Sequence, residues 1–512
     1  MTLLGWKVAH GGKTPPPGEV VRADERMSWP RTVGIGAQHV VAMFGATFVF
    51  PIVMGLNPNL AIMMSGVATI LFLLIVNGKI PSYLGTSASF VGGVIAIRAQ
   101  GGDSASVTGA ILVAGLVLAV VGVVVHFLGA GVIHRILPPA VTGAVVMLIG
   151  FNLAPVVANI YWPQDQWVAI AVMIFVILAT VLLPGFWARI SIFLGLIFGY
   201  VLSWILDLTS GKITSFDPAA QKLTTHFRVN LDSVASADWI GFPAHTMTGP
   251  DGKEIAGWHL PDIKLTFVLL VLPAVIALIA ENTGHVKAVG EMTGDDVDPY
   301  LGRALAGDGV GTAVASAVGG SPTTTYAENI GVMAATRVYS TAAYYVAAVV
   351  AILFGFCPKF GALVAATPGG VLGGITVVLY GMIGLLGAKI WIENRVDFAS
   401  PVNLVPLAAG IIAGIGGVTL KFSDTFELSG IALGTLVTVL AYHAVAALAP
   451  AELKRSWVRS DSPPPAETKD PADVDSAVDA EPEPAAETAD SADPEPEESP
   501  AEAEEPSGKV KD

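Results

Sequence analysis

The chain has 512 residues, of which 53% are hydrophobic and 13% charged, and a mean hydropathy of +0.65, more apolar surface than a soluble globule can bury. Its net charge of −15 belongs to one end, because residues 461–512 hold eighteen acidic residues against three lysines and leave the body formally neutral. A single cysteine, Cys357, excludes an internal disulfide and a cysteine-built metal site.

In chain order, residues 1–31 are polar and proline-bearing, with no cleavable leader pattern, and read as a cytoplasmic N-terminal segment. Apolar runs then predict seven crossings near 34–54, 60–77, 83–98, 108–130, 139–158, 167–184 and 190–206, the first repeat occupying 32–206. A Gly-, Pro-, Asp- and Thr-rich connection over 207–263 follows, expected outside the cytoplasm. A second repeat over 264–450 holds runs near 264–281, 304–319, 322–336, 341–357, 364–387, 402–418 and 427–448. The tail 451–512 is expected to be a disordered, acidic cytoplasmic segment. The fold class is therefore an all-α polytopic membrane protein with about fourteen spans.

With the N-terminus inside, Lys79, Arg135, Arg189, Lys287, Arg303, Arg337, Lys389, Arg395, Lys454 and Arg455 all fall in cytoplasmic connections. Lys359 and Lys421 are exceptions. Both termini are then cytoplasmic. Seven crossings per half, an odd number, give the halves opposite orientation, which is the arithmetic of an inverted repeat.

Two segments are interrupted, IPSYLGTSASFVGGV (80–94) and GGSPTTTYAENIG (319–331), each third in its half. Corresponding Gly/Pro breaks point to a midplane site between repeats. Gly319, Gly320 and Pro322 oppose a continuous helix, and the run Thr323 to Tyr326 is β-prone. One reading is a pair of short extended pieces, one from each half, offering backbone groups to a polar planar ligand. The other is two kinked helices whose threonines bond their own backbone.

Carboxylates favour the first reading. Glu328 follows the second break and Glu281 ends the run LLVLPAVIALIAE; intramembrane carboxylates are costly and mark function. Withdrawal from water favours a carboxylate's protonated form, which suits proton uptake and release. Glu281 and His285 are four apart and share a face if the helix continues. The plainer reading puts Glu281 at a helix end among headgroups and His285 at the interface. Asn282 and Asn329 complete two AEN triplets, as hydrogen-bond braces or as caps. Gln38 and His39, ahead of the first long run, read as interfacial, and Gly195 and Gly199 as close helix packing. No phosphate-binding loop, paired-histidine metal motif or nucleophile elbow occurs, so neither ATP-driven pumping nor enzymatic catalysis is expected.

ENTGHVKAVGEMTG (281–294), GDGVGTAVASAVGGSPTTTYAENIGVMAATRVYS (307–340), KIPSYLGTSASF (79–90), AQHVVAMFGATFVFP (37–51) and VVLYGMIG (377–384) resemble the uracil permease branch of the nucleobase:cation symporter-2 family, also called nucleobase–ascorbate transporters. The resemblance implies a 7+7 inverted repeat with core and gate domains and short antiparallel strands in the third and tenth segments. It implies proton-coupled import of uracil or a related pyrimidine, with the proton as coupling ion and no other cofactor or metal. A homodimer in the cytoplasmic membrane is implied, and no nucleic-acid partner. Residue by residue, it places Glu281 and Glu328 on the base and His285 behind Glu281 in the proton-linked network. The backbone at Phe90 and Ala327 meets the ring edges, while Ala46, Tyr326 and Tyr380 line the pocket. A purine such as xanthine, or ascorbate, is the alternative ligand, and an anion transporter of related architecture the alternative class. Ala327 departs from the glycine common in uracil permeases, and its methyl can tighten the pocket or shift its preference.

Overall fold

Proline at the first turn and a left-handed glycine after the last mark off the opening helix, α1 (Trp29–Met54), closed by Gly55 at φ +66°. The computed structural model describes residues 5–129, 131–217, 222–248, 254–423 and 426–450. The acidic segment 451–512 and the expectation of its disorder lie outside them. Asn57 caps α2 (Pro58–Ile75), its Oδ1 accepting the N–H groups of Asn59 and Leu60. After the first break come strand β1 (Leu84–Thr86), α3 (Val91–Ala99) and α4 (Ser104–Leu128), the last capped by Asp103. Helices α5 (Pro139–Phe151), α6 (Gln166–Leu182) and α7 (Ser191–Thr209) complete the first half.

The connection beyond α7 carries a hairpin of Ile213–Asp217 with Lys222–His226 and a short helix Asp232–Ser236. Arg228 ties it down, meeting Asp165 at 2.8 Å and Asp207 at 3.2 Å. The second half runs α8 (Leu265–Thr293), α9 (Leu301–Ser316), β2 (Thr323–Thr325), α10 (Ala327–Thr336), α11 (Thr341–Gly355), α12 (Gly369–Glu393), α13 (Pro401–Ile415) and α14 (Gly430–Leu448).

Packing follows the small residues. Glycines let α4 and α9 touch along their backbones: a Cβ on Gly122 would stand 2.2 Å from the Ala306 nitrogen, and one on Gly302 2.3 Å from that of His126. Helices α5 and α12 do the same, a Cβ on Gly150 standing 2.2 Å from the Gly384 nitrogen. Gly195 and Gly199 seat Val176 and Val371 as close packing predicts. The heaviest contacts fall into two sets, α1–α4 with α8–α11 and α5–α7 with α12–α14.

Leu116, Val120 and Phe127 on α4, Val181 and Leu182 on α6, and Val201, Trp204 and Leu208 on α7 all face outward. So broad an apolar exterior fits lipid, and the chain is a multi-pass membrane protein. Among the described residues eight helices are long and apolar enough to span, or nine if Thr341–Gly355 and Pro358–Ala365, bent by 82°, count as one. The fourteen expected crossings exceed this because Ala88–Ala99, Gln166–Leu182 and Pro401–Ile415 are apolar but short, and because Leu301–Ser316 and Ala327–Thr336, at the expected 304–319 and 322–336, are both short and less apolar. Helix α8 also runs twelve residues past Glu281, so that glutamate lies inside a helix and not at its end.

A candidate ligand site where two strands meet

Strands β1 and β2 pair antiparallel, Leu84 opposite Thr325, Gly85 opposite Thr324 and Thr86 opposite Thr323. Gly319 at φ +89° and Pro322 end the helical path, and three β-branched threonines favour the extended one. The Ser87 N–H donates to the Pro322 carbonyl at 2.9 Å and the Tyr326 N–H to that of Tyr83 at 3.1 Å. Gly85 is required by contact, since a Cβ there would lie 2.4 Å from the Tyr326 ring. That ring's hydroxyl donates to the Thr86 carbonyl at 2.8 Å and accepts from Thr47 at 3.2 Å, locking α1, β1 and β2 together.

β1 hands over through the turn Ala88–Phe90, whose carbonyls already take the first N–H of α3, and β2 hands over directly to α10 at Ala327, where the first N–H groups lack helical partners. Glu328 sits in the first turn of α10, half-buried; Ala327 beside it is exposed although Thr325 and Tyr326 are buried, so open space reaches this point. From α8, the half-buried Glu281 accepts from Ser89 at 3.4 Å and lies within electrostatic reach of Glu328. The two carboxylates therefore converge on the ends of the strand pair.

His285 has a different neighbour from the one expected. Its Nδ1 is 2.9 Å from the Thr325 hydroxyl, whose residue also offers its backbone carbonyl to the ring, and it makes no ion pair with Glu281 among the described residues. The spacing of four residues put both on one helix face, but β2 lies nearer to the imidazole than the carboxylate does.

Both AEN asparagines are braces. Asn282 donates to Asp308 on α9 at 3.0 Å, and Asn329 donates to the His39 carbonyl on α1 at 3.0 Å. His39 is fully buried against Tyr344, with ring centroids 4.4 Å apart, which corrects its expected place at the interface. Gln38 beside it is half-buried. Asp308, not singled out from the sequence, is fully buried and also accepts from Thr324 at 3.3 Å. The signal was present in the string: a lone carboxylate in an otherwise small and apolar helix.

Ala46 and Phe90 are buried on α1 and just ahead of α3, without a polar contact of their own to the carboxylates. Tyr380 comes from the other packing set, stacked on Phe50 at 6.3 Å, its buried hydroxyl without a partner. Among the described residues no group of three or more His, Cys, Asp or Glu side chains could hold a metal ion. What the arrangement offers is two acceptor carboxylates and unpaired backbone N–H groups at the start of α10, which complements a flat molecule carrying both N–H and C=O edges.

The sequence profile of the Permease family (Xan_ur_permease) matches residues 30–422. RutG of Escherichia coli K12, named as a candidate pyrimidine permease, is 42% identical over 430 residues, covering 82% of this chain and 91% of its own. The uracil permease of Bacillus caldolyticus is 34% identical over 431 residues, covering 82% and 93%. The uracil permease of Escherichia coli K12 is 31% identical over 448 residues, covering 85% and 96%. Among solved structures, the transmembrane domain of the cyanobacterial bicarbonate transporter BicA superposes with a TM-score of 0.52 at 14% identity, over 80% of this chain and 96% of that one. The murine Slc26a9 anion transporter in its inward-facing state gives 0.57 at 11% identity, over 81% and 68%. At such identities the likeness is one of fold alone.

Proposed function

The chain belongs to the nucleobase:cation symporter-2 permease family and is a transporter, not an enzyme; on that premise we propose that it imports uracil or a closely related pyrimidine base together with protons. The observation that carries this reading is the convergence of Glu281 and Glu328 on the paired strands. A pyrimidinedione has two ring N–H groups and two carbonyls. The carboxylates accept the former, and backbone N–H groups at Phe90 and Ala327 meet the latter, with Ala46, Tyr326 and Tyr380 closing the pocket. Charge-assisted bonds of this kind discriminate strongly, because a ligand lacking the N–H leaves a buried carboxylate unpaired.

Proton uptake at the carboxylates changes the charge of the cavity. His285 fixes β2 beside them and belongs to the same proton-linked group. In this reading α1–α4 with α8–α11 form the core and the other set the gate, in a fourteen-span 7+7 inverted repeat, with both termini cytoplasmic and two copies forming a dimer in the cytoplasmic membrane. The core then rocks against the gate when base and proton are both bound.

Uptake of labelled uracil into proteoliposomes tests it. Accumulation is expected only with an inward proton gradient; accumulation without one, or none with any nucleobase, overturns the reading. Competition by unlabelled uracil, thymine, xanthine and ascorbate assigns the ligand, and the Ala327 methyl makes ring size the discriminating variable. Bicarbonate or sulfate transport would instead follow the anion-transporting fold neighbours, against the two carboxylates at the site.

A further inference from the structure

The alternation of an antiparallel ladder fixes which backbone groups of β1 and β2 face each other. Bonds at the pairs 83/326 and 87/322 make 85/324 the facing pair between them, so the backbone groups of Leu84, Thr86, Thr323 and Thr325 point away from the partner strand. With three residues per strand and no neighbouring strands, these outward groups need partners from elsewhere in a dry interior.

At the first residue of each strand the partner is a threonine from the helix just before it. The Leu84 N–H donates to Thr69 Oγ1 on α2 at 2.9 Å, and the same hydroxyl lies 3.4 Å from the Leu84 carbonyl. The Thr323 N–H donates to Thr312 Oγ1 on α9 at 3.1 Å, and that hydroxyl donates to the Thr323 carbonyl at 2.9 Å. Both threonines are fully buried. Both halves therefore hold the first N–H of their strand on a buried threonine hydroxyl, from opposite ends of one small sheet, although Thr69 sends its own proton to the Ser65 carbonyl at 2.8 Å and Thr312 sends its to Thr323.

We propose that Thr69 and Thr312 are a matched pair of positioning residues that seat the two strands and so set the placement of the backbone that meets the transported base. They touch no ligand. They act through Leu84 and Thr323, each at the far end of its own strand from the helix that strand leads into, and each opposite the residue, Thr325 or Thr86, that leads into the other helix start. The proposal rests on the nucleobase-transport reading for its uptake readout and on geometry alone for its structural one.

The test compares Thr69→Val and Thr312→Val, which keep volume but remove the hydroxyl, with Thr69→Ser and Thr312→Ser, which keep the hydroxyl. Each is made in the full chain and reconstituted. Uracil uptake should show KM raised about tenfold by each valine with little change in maximal rate, and restored by each serine, since an unpaired buried N–H costs about one such factor. Amide exchange over 83–86 and 323–325, measured without substrate, should accelerate in the valine variants and not in the serine ones. Where a valine variant does not fold, cysteine at the same position, a weaker acceptor, takes its place. Valine variants with wild-type KM and exchange, or serine and valine variants that behave alike, overturn the proposal. Wild-type protein that takes up no nucleobase overturns the transport reading instead, and the exchange comparison still decides the brace.

Discussion

Strands β1 and β2 are backbone counterparts, yet their side chains do opposite things. β1 contributes room, Gly85 leaving space for the Tyr326 ring, and its one polar side chain, Thr86, bonds Ser321 and no charged group. β2 contributes groups: Thr324 reaches Asp308 and Thr325 meets His285. The helices that follow differ likewise, α10 carrying Glu328 in its first turn and α3 only apolar residues in its own, and the other carboxylate, Glu281, also lies in the second half. One half thus provides space and a backbone frame, and the other provides charge. A repeated fold fixes where backbone edges meet, while the chemistry placed on each edge is free to diverge.

Substitutions can break this division of labour. The largest effect is expected at the carboxylates: Glu328→Gln or Glu281→Gln should reduce uracil binding by about a hundredfold or more, the cost of losing a charge-assisted bond. Equilibrium binding to purified protein reads this directly, and near-wild-type affinity in both would put the charge elsewhere. Next comes Gly85→Ala, whose methyl meets the Tyr326 ring and Thr47. Overpacking of this kind costs about 1–3 kcal/mol, seen as a lower Tm with uptake impaired in parallel; unchanged Tm would show that the ring yields. At the facing position, Thr324→Val should cost about 1 kcal/mol, the value of one hydrogen bond. If the two strands were chemically interchangeable, these two substitutions would be equally severe. Tyr326→Phe keeps the ring but removes the two bonds to Thr86 and Thr47, and should destabilise by about 1–2 kcal/mol, read as a lower Tm.

The smallest effect belongs to a residue in neither strand. Asp103 caps α4, and its bonds to Ser106 hold its carboxyl below the usual aspartate range, with Lys264 nearby adding to this. Its contribution is complete at neutral pH, fades once pH drops below the ordinary value of ~3.9 and is lost as pH falls through the lowered one. Asp103→Asn keeps a good capping residue and should flatten that acid limb of a Tm-against-pH curve, with a loss well under about 1 kcal/mol at neutral pH.

Much of this was legible in the string because it depends on local chemistry. Gly319, Gly320 and Pro322 announce a break wherever they occur, and a glutamate amid apolar residues announces cost. What was not legible depends on contacts between distant segments. The burial of His39 follows from Asn329, and the role of Asp308 from Asn282 and Thr324. The continuation of α8 past Glu281 could not be read either, since ENTGHVKAVG carries too many polar residues to prolong an apolar run. Its polar positions are met by Ser89, by Asp308 on α9 and by Thr325 on β2, partners that hydropathy does not see.

The glycine seam between α4 and α9 bears on motion. Backbone against backbone, with no side chains between to change rotamer, it has no slack in which the helices could slide or shear. The seam behaves as a rigid spar spanning both halves of the chain. In the proposed transport cycle, movement of the two packing sets against each other then carries α4 and α9 as one piece, which leaves the adjustment to the contacts between the sets.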